Sequence, residues 1–373
     1  MTGVGIDEKL GAFVISSFDA AQEILHGQGW VSDLSDNIEL ISELGGTDQL
    51  PPLMRSMLRL FMDGPAHDKF RKLVAPSFTA RRIEQFRDRI GAVVEAALDG
   101  VEGRGEFDVV TELGYPIPVS VIAELLDVGV EGAQLINIEA PRLAQLLEFN
   151  PGEDLLLDAA EATMNCVHFL LPLLAERSAE PGEDFISAML TAESDGERLD
   201  LEEVLAIVLT LLVAGLLTTA NLISNGVLNL LRNPGQAAIL RDKPELIKEC
   251  VEEVLRIEPP VAYTGRTAVT AHRVGGLAVE PGQQVIVHLV GANRDPARFA
   301  EPDTFDLLRE DSAQVAFGGG AHFCLGAALA RIETEEVLSR LIARFPDLAL
   351  AEPEVRWRAS TAFHALEGLA VRV

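Results

Sequence analysis

Residues 317–331 gather the most reactive chemistry in the chain: Phe317-Gly318-Gly319-Gly320-Ala321-His322-Phe323-Cys324-Leu325-Gly326-Ala327-Ala328-Leu329-Ala330-Arg331. The segment sets a cysteine between a glycine-rich loop and an Ala/Leu-rich stretch that reads as a helix. A helix N-terminus offers unpaired N–H groups and the positive end of its dipole, and both favour sulfur as an anion. The glycines let the backbone adopt positive φ and come close to a flat ligand, so that amide N–H groups can point at the sulfur. A thiolate held in this way suits a soft metal.

Zinc would need three further protein ligands, and only His322 is close in sequence. Haem iron brings four nitrogens of its own and needs one axial ligand. A phosphate cradle is the other use of a glycine-rich loop before a helix, but the segment contains neither a GK[ST] run nor GxGxxG in a strand context. A lone cysteine is usually a small buried hydrophobe, so it is the neighbours of Cys324 that single it out. Cys166 and Cys250 lie far from it and from each other, with no CxxC pair and no disulfide-scaffold spacing, which fits a reducing cytoplasm.

FGGGAHFCLG resembles the haem-binding loop of the cytochrome P450 family at its Phe, Gly, His, Cys and final Gly positions. The resemblance runs from about Gly11 to the C-terminus and is nearest to the soluble bacterial members. It implies a mainly α fold with small β-sheets, the triangular-prism P450 architecture with haem b (iron protoporphyrin IX) between a long central helix and the helix after the cysteine. Residues 1–373 would then form a single domain with a shortened N-terminus, and part of the substrate-channel wall would be missing or rearranged. Cys324 would ligate the iron, with Phe317 and Gly318 beside the cofactor.

The same resemblance implies a Glu-x-x-Arg pair on an earlier helix, and Glu253-Val-Leu-Arg256 supplies it at the i, i+3 spacing that shares one helical face. Read alone, such a pair is a solvated surface contact. In the family it is a buried brace beneath the haem, often completed by an Arg in a Pro-Glu/Asp-Arg-Phe segment. This chain has Pro302-Asp303-Thr304-Phe305, leaving Arg294 or Arg309 to take that place. Enclosed haem propionates need cationic partners, for which Arg is well suited. By similarity these are His67 and Arg71, Arg266, and His322.

Ala214-Gly215-Leu216-Leu217-Thr218-Thr219 resembles the family's Ala/Gly-Gly-x-Asp/Glu-Thr-Thr segment beside the oxygen-binding face. Gly215 would leave room for dioxygen, and Thr218 would be the alcohol that organises protons. Leu217 stands where the family usually has an acid and can neither carry nor relay a proton. The resemblance therefore implies a haem-thiolate monooxygenase acting on a mostly apolar small molecule, a natural-product scaffold of secondary metabolism, by an altered proton route. Alternatives are an enzyme that does not activate dioxygen (an isomerase, a dehydratase or a peroxide-driven enzyme) or a non-catalytic haem-dependent binding protein. Electrons would come from a ferredoxin or flavodoxin-type donor. The basic cluster Lys69, Arg71, Lys72, Arg81, Arg82, Arg87 and Arg89 offers it a docking patch or, equally, forms an ordinary solvated face.

The elements that must position these groups are mostly helical. Apolar spacing gives helices over 18–26, 81–97, 116–126, 155–177, 184–193, 201–231, 234–242 and 244–257, and another after Cys324. Short β-branched runs at 12–17, 268–270, 277–279, 284–290, 348–350 and 369–373 give a minor sheet component. A mixed loop carries Gly45, Gly46, Pro51 and Pro52. Apolar pocket walls are expected, by analogy with the family, near 50–60, 213–217, 261–264 and 360–363.

The uncharged run Val204–Leu231 is long enough to span a bilayer. Thr218, Thr219, Asn221, Ser224, Asn225 and Asn229 crowd its second half and favour a helix buried inside a globular protein. The net charge of −28 disfavours nucleic acid and anionic membranes as partners.

Overall fold

The computed structural model describes residues 4–7, 12–32, 52–148, 152–360 and 362–373. The expected loop residues Gly45, Gly46 and Pro51, and Leu50 and Thr361 of the expected pocket walls, lie outside them. The chain divides into two compact units, one of Met1–Ser32, Val94–Gly114 and Thr218–Val373, the other of Asp33–Val93 and Tyr115–Leu217.

The first unit is built on a five-stranded sheet in the order Val4–Asp7, Ala12–Ile15, Gln284–His288, Tyr263–Ala268, Trp30–Val31. All its pairings are antiparallel except Ala12–Ile15 with Gln284–His288, which run parallel and so require the long crossover the chain makes between them. Ile15, Val285 and Val287 are fully buried from this sheet, packed with Phe18, Ile24 and Phe299. Phe18 and Phe299 meet edge to face with ring centroids 5.3 Å apart. A three-stranded sheet joins Ala349–Leu350, Ala370–Arg372 and Glu106–Asp108. Gly275 and Gly276, at φ 57° and 86°, make the tight turn between His272–Val274 and Leu277–Val279.

In the second unit, Pro52–Arg59, Pro65–Val74, Pro116–Leu126, Gly129–Leu143, Glu153–Ala179 and Phe185–Thr191 are helices. Arg142 ties two of them together, reaching Glu139 and Asp158 at 2.7 Å each. Asp184 caps Phe185–Thr191 by accepting from the Ser187 N–H at 2.9 Å. A small hairpin, Glu193–Ser194 with Glu197–Arg198, turns at Asp195 and Gly196, both left-handed at φ 51° and 79°.

The expected helices 18–26, 116–126 and 234–242 are observed with those bounds. The single helix expected over 81–97 is two, Ala80–Glu84 and Arg87–Val101. The break places Phe86 against Phe185, 5.8 Å between ring centroids, a tertiary contact that local spacing does not encode. The strand expected over 268–270 is instead Tyr263–Ala268, because pairing with Gln284–His288 takes the β-formers Tyr263, Thr264 and Thr267 and leaves Val269 at the surface. The helices Pro52–Arg59, Pro65–Val74 and Gly129–Leu143 have no counterpart among the expected spans.

Leu201–Arg232 is one unbroken helix, long and apolar enough to cross a membrane, yet 72% of its most apolar 18-residue window is buried within the protein. A core helix is what its polar residues indicate.

Candidate functional site

The loop around Cys324 is closed by its own backbone. Gly318 donates to the Val315 carbonyl at 2.9 Å, Cys324 to the Phe317 carbonyl at 3.0 Å, and Phe323 to the Gly320 carbonyl at 3.2 Å. Gly318 and Gly320 hold φ of 68° and 63°, a region that a side chain would strain. Gly319 and Gly320 also pass so close to the first helix, Phe18–His26, that a Cβ on either would collide, with the His26 ring and the Leu25 carbonyl respectively. The Gly320 N–H donates to His26 Nδ1 at 3.2 Å. The helix Ala327–Arg344 starts three residues after the cysteine.

Cys324 is exposed, whereas Cys166 and Cys250 are buried. Burial pushes the thiols of both Cys166 and Cys250 up to about 12, which makes them poor thiolates. Among the described residues no three His, Cys, Asp or Glu side chains converge as a metal cage. The single available thiol therefore matches a metal that brings most of its own ligands.

The Glu253–Arg256 pair is buried, at 1% and 0% exposure, with Arg256 Nε and Nη2 on the two carboxylate oxygens at 2.7 and 2.8 Å. The remaining guanidinium hydrogens reach the carbonyls of Asn293 (3.0 Å), Pro302 (2.7 Å) and Thr304 (3.1 Å). Arg309, not Arg294, takes the third position, with Nε on Glu253 Oε1 at 3.1 Å and Nη2 on the Thr304 carbonyl at 2.9 Å. Arg294 instead bonds Glu258 and the Ile257 carbonyl. Thr304 lacks the family's charge but contributes a carbonyl to both arginines. Every strong group in this brace is met, the condition under which a buried ion pair is tolerable.

Four residues outside the expected set connect the brace to the cysteine loop. Asn293, fully buried, accepts from the Val315 N–H at 2.9 Å and donates to the Leu255 carbonyl. Glu252 accepts from Gln314 at 3.1 Å and from Arg331 Nε at 2.5 Å, and the Arg331 guanidinium lies 4.5 Å from the Phe317 ring centroid. Asn in the Ala-Asn-Arg-Asp-Pro turn was a legible signal for Asn293. Glu252, Gln314 and Arg331 are distinguishable only once the chain is folded.

The other expected residues fall as follows. Arg266, 6% exposed on the strand Tyr263–Ala268, donates to the Gly265 carbonyl at 2.7 Å and Thr264 Oγ1 at 3.3 Å. His322, half-buried, ends the short turn Gly320–His322. In the second unit His67 and Arg71 share one face of the helix Pro65–Val74, His67 buried at 3% exposure. On the long helix the burial is interrupted where the sequence analysis placed the distal segment. Gly215 is exposed, Ala214, Leu217 and Thr218 are half-buried, and a Cβ on Gly215 would meet no atom within 4 Å. An open glycine in the middle of an apolar helix fits a ligand that approaches its backbone closely. Taken unit by unit the residues present fit haem: in the first an exposed thiol on a braced loop with Arg266 and His322 as cation candidates, in the second the His67–Arg71 helix face and a helix opened at Gly215.

Comparison with known proteins agrees. The family model for cytochrome P450 matches residues 159–353. Cytochrome P450 107B1 of Saccharopolyspora erythraea is 40% identical over 375 residues, covering 97% of this chain and 89% of that protein. Vitamin D(3) 25-hydroxylase of Pseudonocardia autotrophica is 38% identical, covering 86% and 79%. The crystal structure of P450BioI in complex with a hexadec-9Z-enoic acid ligated acyl carrier protein superposes with a TM-score of 0.89 at 32% identity, covering 99% of this chain and 94% of that one. On these matches the chain belongs to the cytochrome P450 family of haem b monooxygenases.

Proposed function

We propose that this enzyme, expected in the cytoplasm, oxidises a mostly apolar small molecule, a natural-product scaffold of secondary metabolism, with Cys324 as the iron ligand and a ferredoxin or flavodoxin-type protein as electron donor. The observation that carries the ligand assignment is the contrast among the cysteines: one exposed on a braced glycine loop, two buried with raised pKa. When bound, the haem supplies oxidation of a substrate C–H bond at the expense of dioxygen, the thiolate lending electron density to the iron.

The chain's own residues divide the remaining work. The pair Glu253–Arg256, with Arg309, fixes residues 293–309 so that the following loop presents Sγ without adjustment. Arg266 and His322 in the first unit, and His67 and Arg71 in the second, would hold the propionates by charge-assisted hydrogen bonds. Phe317 and Gly318 in the first unit, and Ala214 and Gly215 in the second, would accept the flat cofactor by their small or apolar surfaces, and Thr218 Oγ1 would hold a proton for the reaction. The apolar stretches 213–217 in the second unit and 261–264 in the first would each offer substrate a wall that excludes water.

Charge pairing narrows the surface available to the donor. Lys69 is paired with Glu203 at 2.7 Å, Lys72 with Asp195 at 2.9 Å and Glu197 at 3.2 Å, and Arg87 with Glu84 at 2.6 Å. Arg81, Arg82 and Arg89 are exposed and line a groove of about 710 Å³, Arg82 and Arg89 resting over Phe185 and Phe86. Glu124, Asp127, Glu183 and Asp184 also line it, and Arg177 holds Asp127 and Asp184. An acidic donor would engage these three arginines.

Leu217 supports a second reading, a reaction that does not activate dioxygen. Oxygen consumption measured against product, with a reductase and a donor, separates the two: stoichiometric consumption supports the monooxygenase, and product without oxygen supports the second. The reduced, CO-bound protein should show the strongly red-shifted Soret band of thiolate ligation, lost in Cys324→Ala. An unshifted band in fully active wild-type protein would sink the ligand assignment.

A further inference from the structure

From Thr218 onward the long helix carries polar residues at Asn221, Asn225 and Asn229, steps of three and four that lie along one helical face, and Asn233 follows just past its end. Asn221, Asn225 and Asn229 are 3%, 0% and 6% exposed. The later members close on the helix itself, Asn229 Nδ2 donating to the Asn225 carbonyl and Asn233 Nδ2 to the Asn229 carbonyl, both at 2.8 Å. Asn225 Nδ2 donates to the carbonyls of Glu258 and His364, each at 3.1 Å. Two acceptors on one side fix the amide's orientation and send Oδ1 the other way. That Oδ1, and Asn221 Nδ2 one turn earlier, are buried with no hydrogen-bond partner among the described residues.

A buried donor and a buried acceptor left open one turn apart call for a ligand. Cβ atoms at this spacing lie about 5–6 Å apart, close to the span of two hydrogen bonds through one water. The residues that hold Asn225 are themselves ionisable: Glu258 Oε2 contacts His364 Nε2, and Arg294 Nη2 holds Glu258 Oε1 at 2.9 Å. Glu258 is 12% and His364 29% exposed, so the pair reaches solvent, with Trp357 stacked on the imidazole. The first position of the stripe, Thr218, is the alcohol beside Leu217.

We propose that Asn221 and Asn225 seat an ordered water, and that protons entering at Glu258–His364 pass by this water to Thr218 Oγ1, replacing the acid that Leu217 lacks. The proton role rests on the monooxygenase reading above, but the water site does not. The amides orient and do not ionise: Asn221 N–H donates to the water oxygen, the water donates one hydrogen to Asn225 Oδ1, and its other hydrogen is the one passed on. Each proton that leaves toward Thr218 is replaced through a further solvent water linking this one to the Glu258–His364 pair, which regains one from solvent. No charge accumulates, and no oxidant or reductant is required by the transfer.

A high-resolution crystal structure of the haem-loaded protein should show a water within hydrogen-bond distance of Asn221 Nδ2 and Asn225 Oδ1. Asn221→Leu, nearly the same size, should lose that density while keeping the haem spectrum. Its ratio of product to electrons consumed should fall on the order of tenfold, with hydrogen peroxide rising and a larger solvent isotope effect. Asn221→Ser, whose hydroxyl can hold the same water, should recover coupling. His364→Gln should reproduce the loss with the water still in place, and keeps the proposal testable should Asn221→Leu not fold. Absent density between the two amides, or unchanged coupling in Asn221→Leu, overturns the proposal and leaves the monooxygenase reading untouched. Product formed by the wild type without oxygen consumption removes that reading and the proton role together, and the density then decides the water site alone.

Discussion

The brace beside the cysteine loop and the polar face of the long helix are both buried and both polar, and they handle their hydrogen bonds in opposite ways. In the brace, Glu253, Arg256 and Arg309 are joined to one another and to the carbonyls of Asn293, Pro302 and Thr304. On the helix, Asn221 Nδ2 and Asn225 Oδ1 are left open. A saturated network fixes one geometry, since any shift breaks several charge-assisted bonds at once. An unsaturated one admits small polar guests and tolerates their exchange. On the proposed function the Cys324 thiolate would have to stay fixed, whereas protons would have to move.

The largest effect expected from breaking this comparison is at Arg256, which is fully buried. Arg256→Leu would strand the Glu253 carboxylate without its main partner and leave the Asn293 and Pro302 carbonyls unmet, Thr304 keeping Arg309. Losing one member of a buried pair costs about 3–5 kcal/mol, so we expect little folded protein and no retained haem. Arg256→Lys should fare poorly too, because an ammonium cannot span two carboxylate oxygens and three carbonyls. Thermal unfolding and the haem absorbance of purified protein check this. A stable, haem-loaded Arg256→Leu would show the brace to be dispensable.

Glu333, buried in the helix after the cysteine, sharpens the contrast from inside the first unit. Burial pushes its carboxyl up from 4.5 to about 8, and its Oε2 has no hydrogen-bond partner among the described residues. Between those two values the folded chain keeps a proton that the unfolded chain has lost. Its contribution is therefore complete below pH 4.5, declines as pH rises toward 8, and is level above that. The slope in that window is at most about 1.4 kcal/mol per pH unit. Glu333→Gln, a permanently neutral isostere, should gain stability relative to the wild type as pH is raised from about 5 to 8. A difference in unfolding midpoint that stays constant across that range would contradict the buried, protonated carboxyl.

How far the sequence disclosed these regions depends on how local their contacts are. The cysteine loop was legible because its glycines, thiol and helix start are contiguous. The Glu253–Arg256 pair was legible because i, i+3 spacing puts the two on one face. Arg309 was not separable from Arg294, since the choice depends on how residues 293–309 fold back, and Thr304 takes part through a carbonyl that every residue possesses. The partners of Asn225 lie 33 and 139 residues away, so its hydrogen bonding is a product of the fold. The crowding of Asn and Thr in an apolar helix marked that helix as a core element, but gave no hint of which amide atoms would stay open. Likewise the break at Phe86 is made by Phe185, nearly a hundred residues on.

Asn225→Leu should cost less than the Arg256 variants. It leaves two carbonyls unmet and removes no charge, a loss of about 1–3 kcal/mol. The folded protein should still bind haem, with a lowered unfolding midpoint and faster hydrogen exchange at the Ala262 and His364 amides, which donate to the Ala362 and Pro260 carbonyls beside the lost bonds. Unchanged stability would mean that water replaces the amide at both carbonyls.

The smallest effect is expected at Arg309→Lys. Arg309 is 11% exposed, and its bonds to the Ala300, Glu301 and Thr304 carbonyls lie at the edge of the brace. Lysine keeps the charge near Glu253 and loses the planar fork that reaches several carbonyls together. Water can replace those lost bonds at the edge, so the cost should be about 1 kcal/mol, that of an ordinary hydrogen bond. Arg309→Leu removes the charge as well and should fall between this variant and Arg256→Leu. Unfolding midpoints of the three proteins should therefore rank Arg309→Lys above Arg309→Leu above Arg256→Leu. If both Arg309 variants matched the wild type, Glu253 and Arg256 would form a sufficient pair, and Arg309 would be a surface residue that happens to lie beside it.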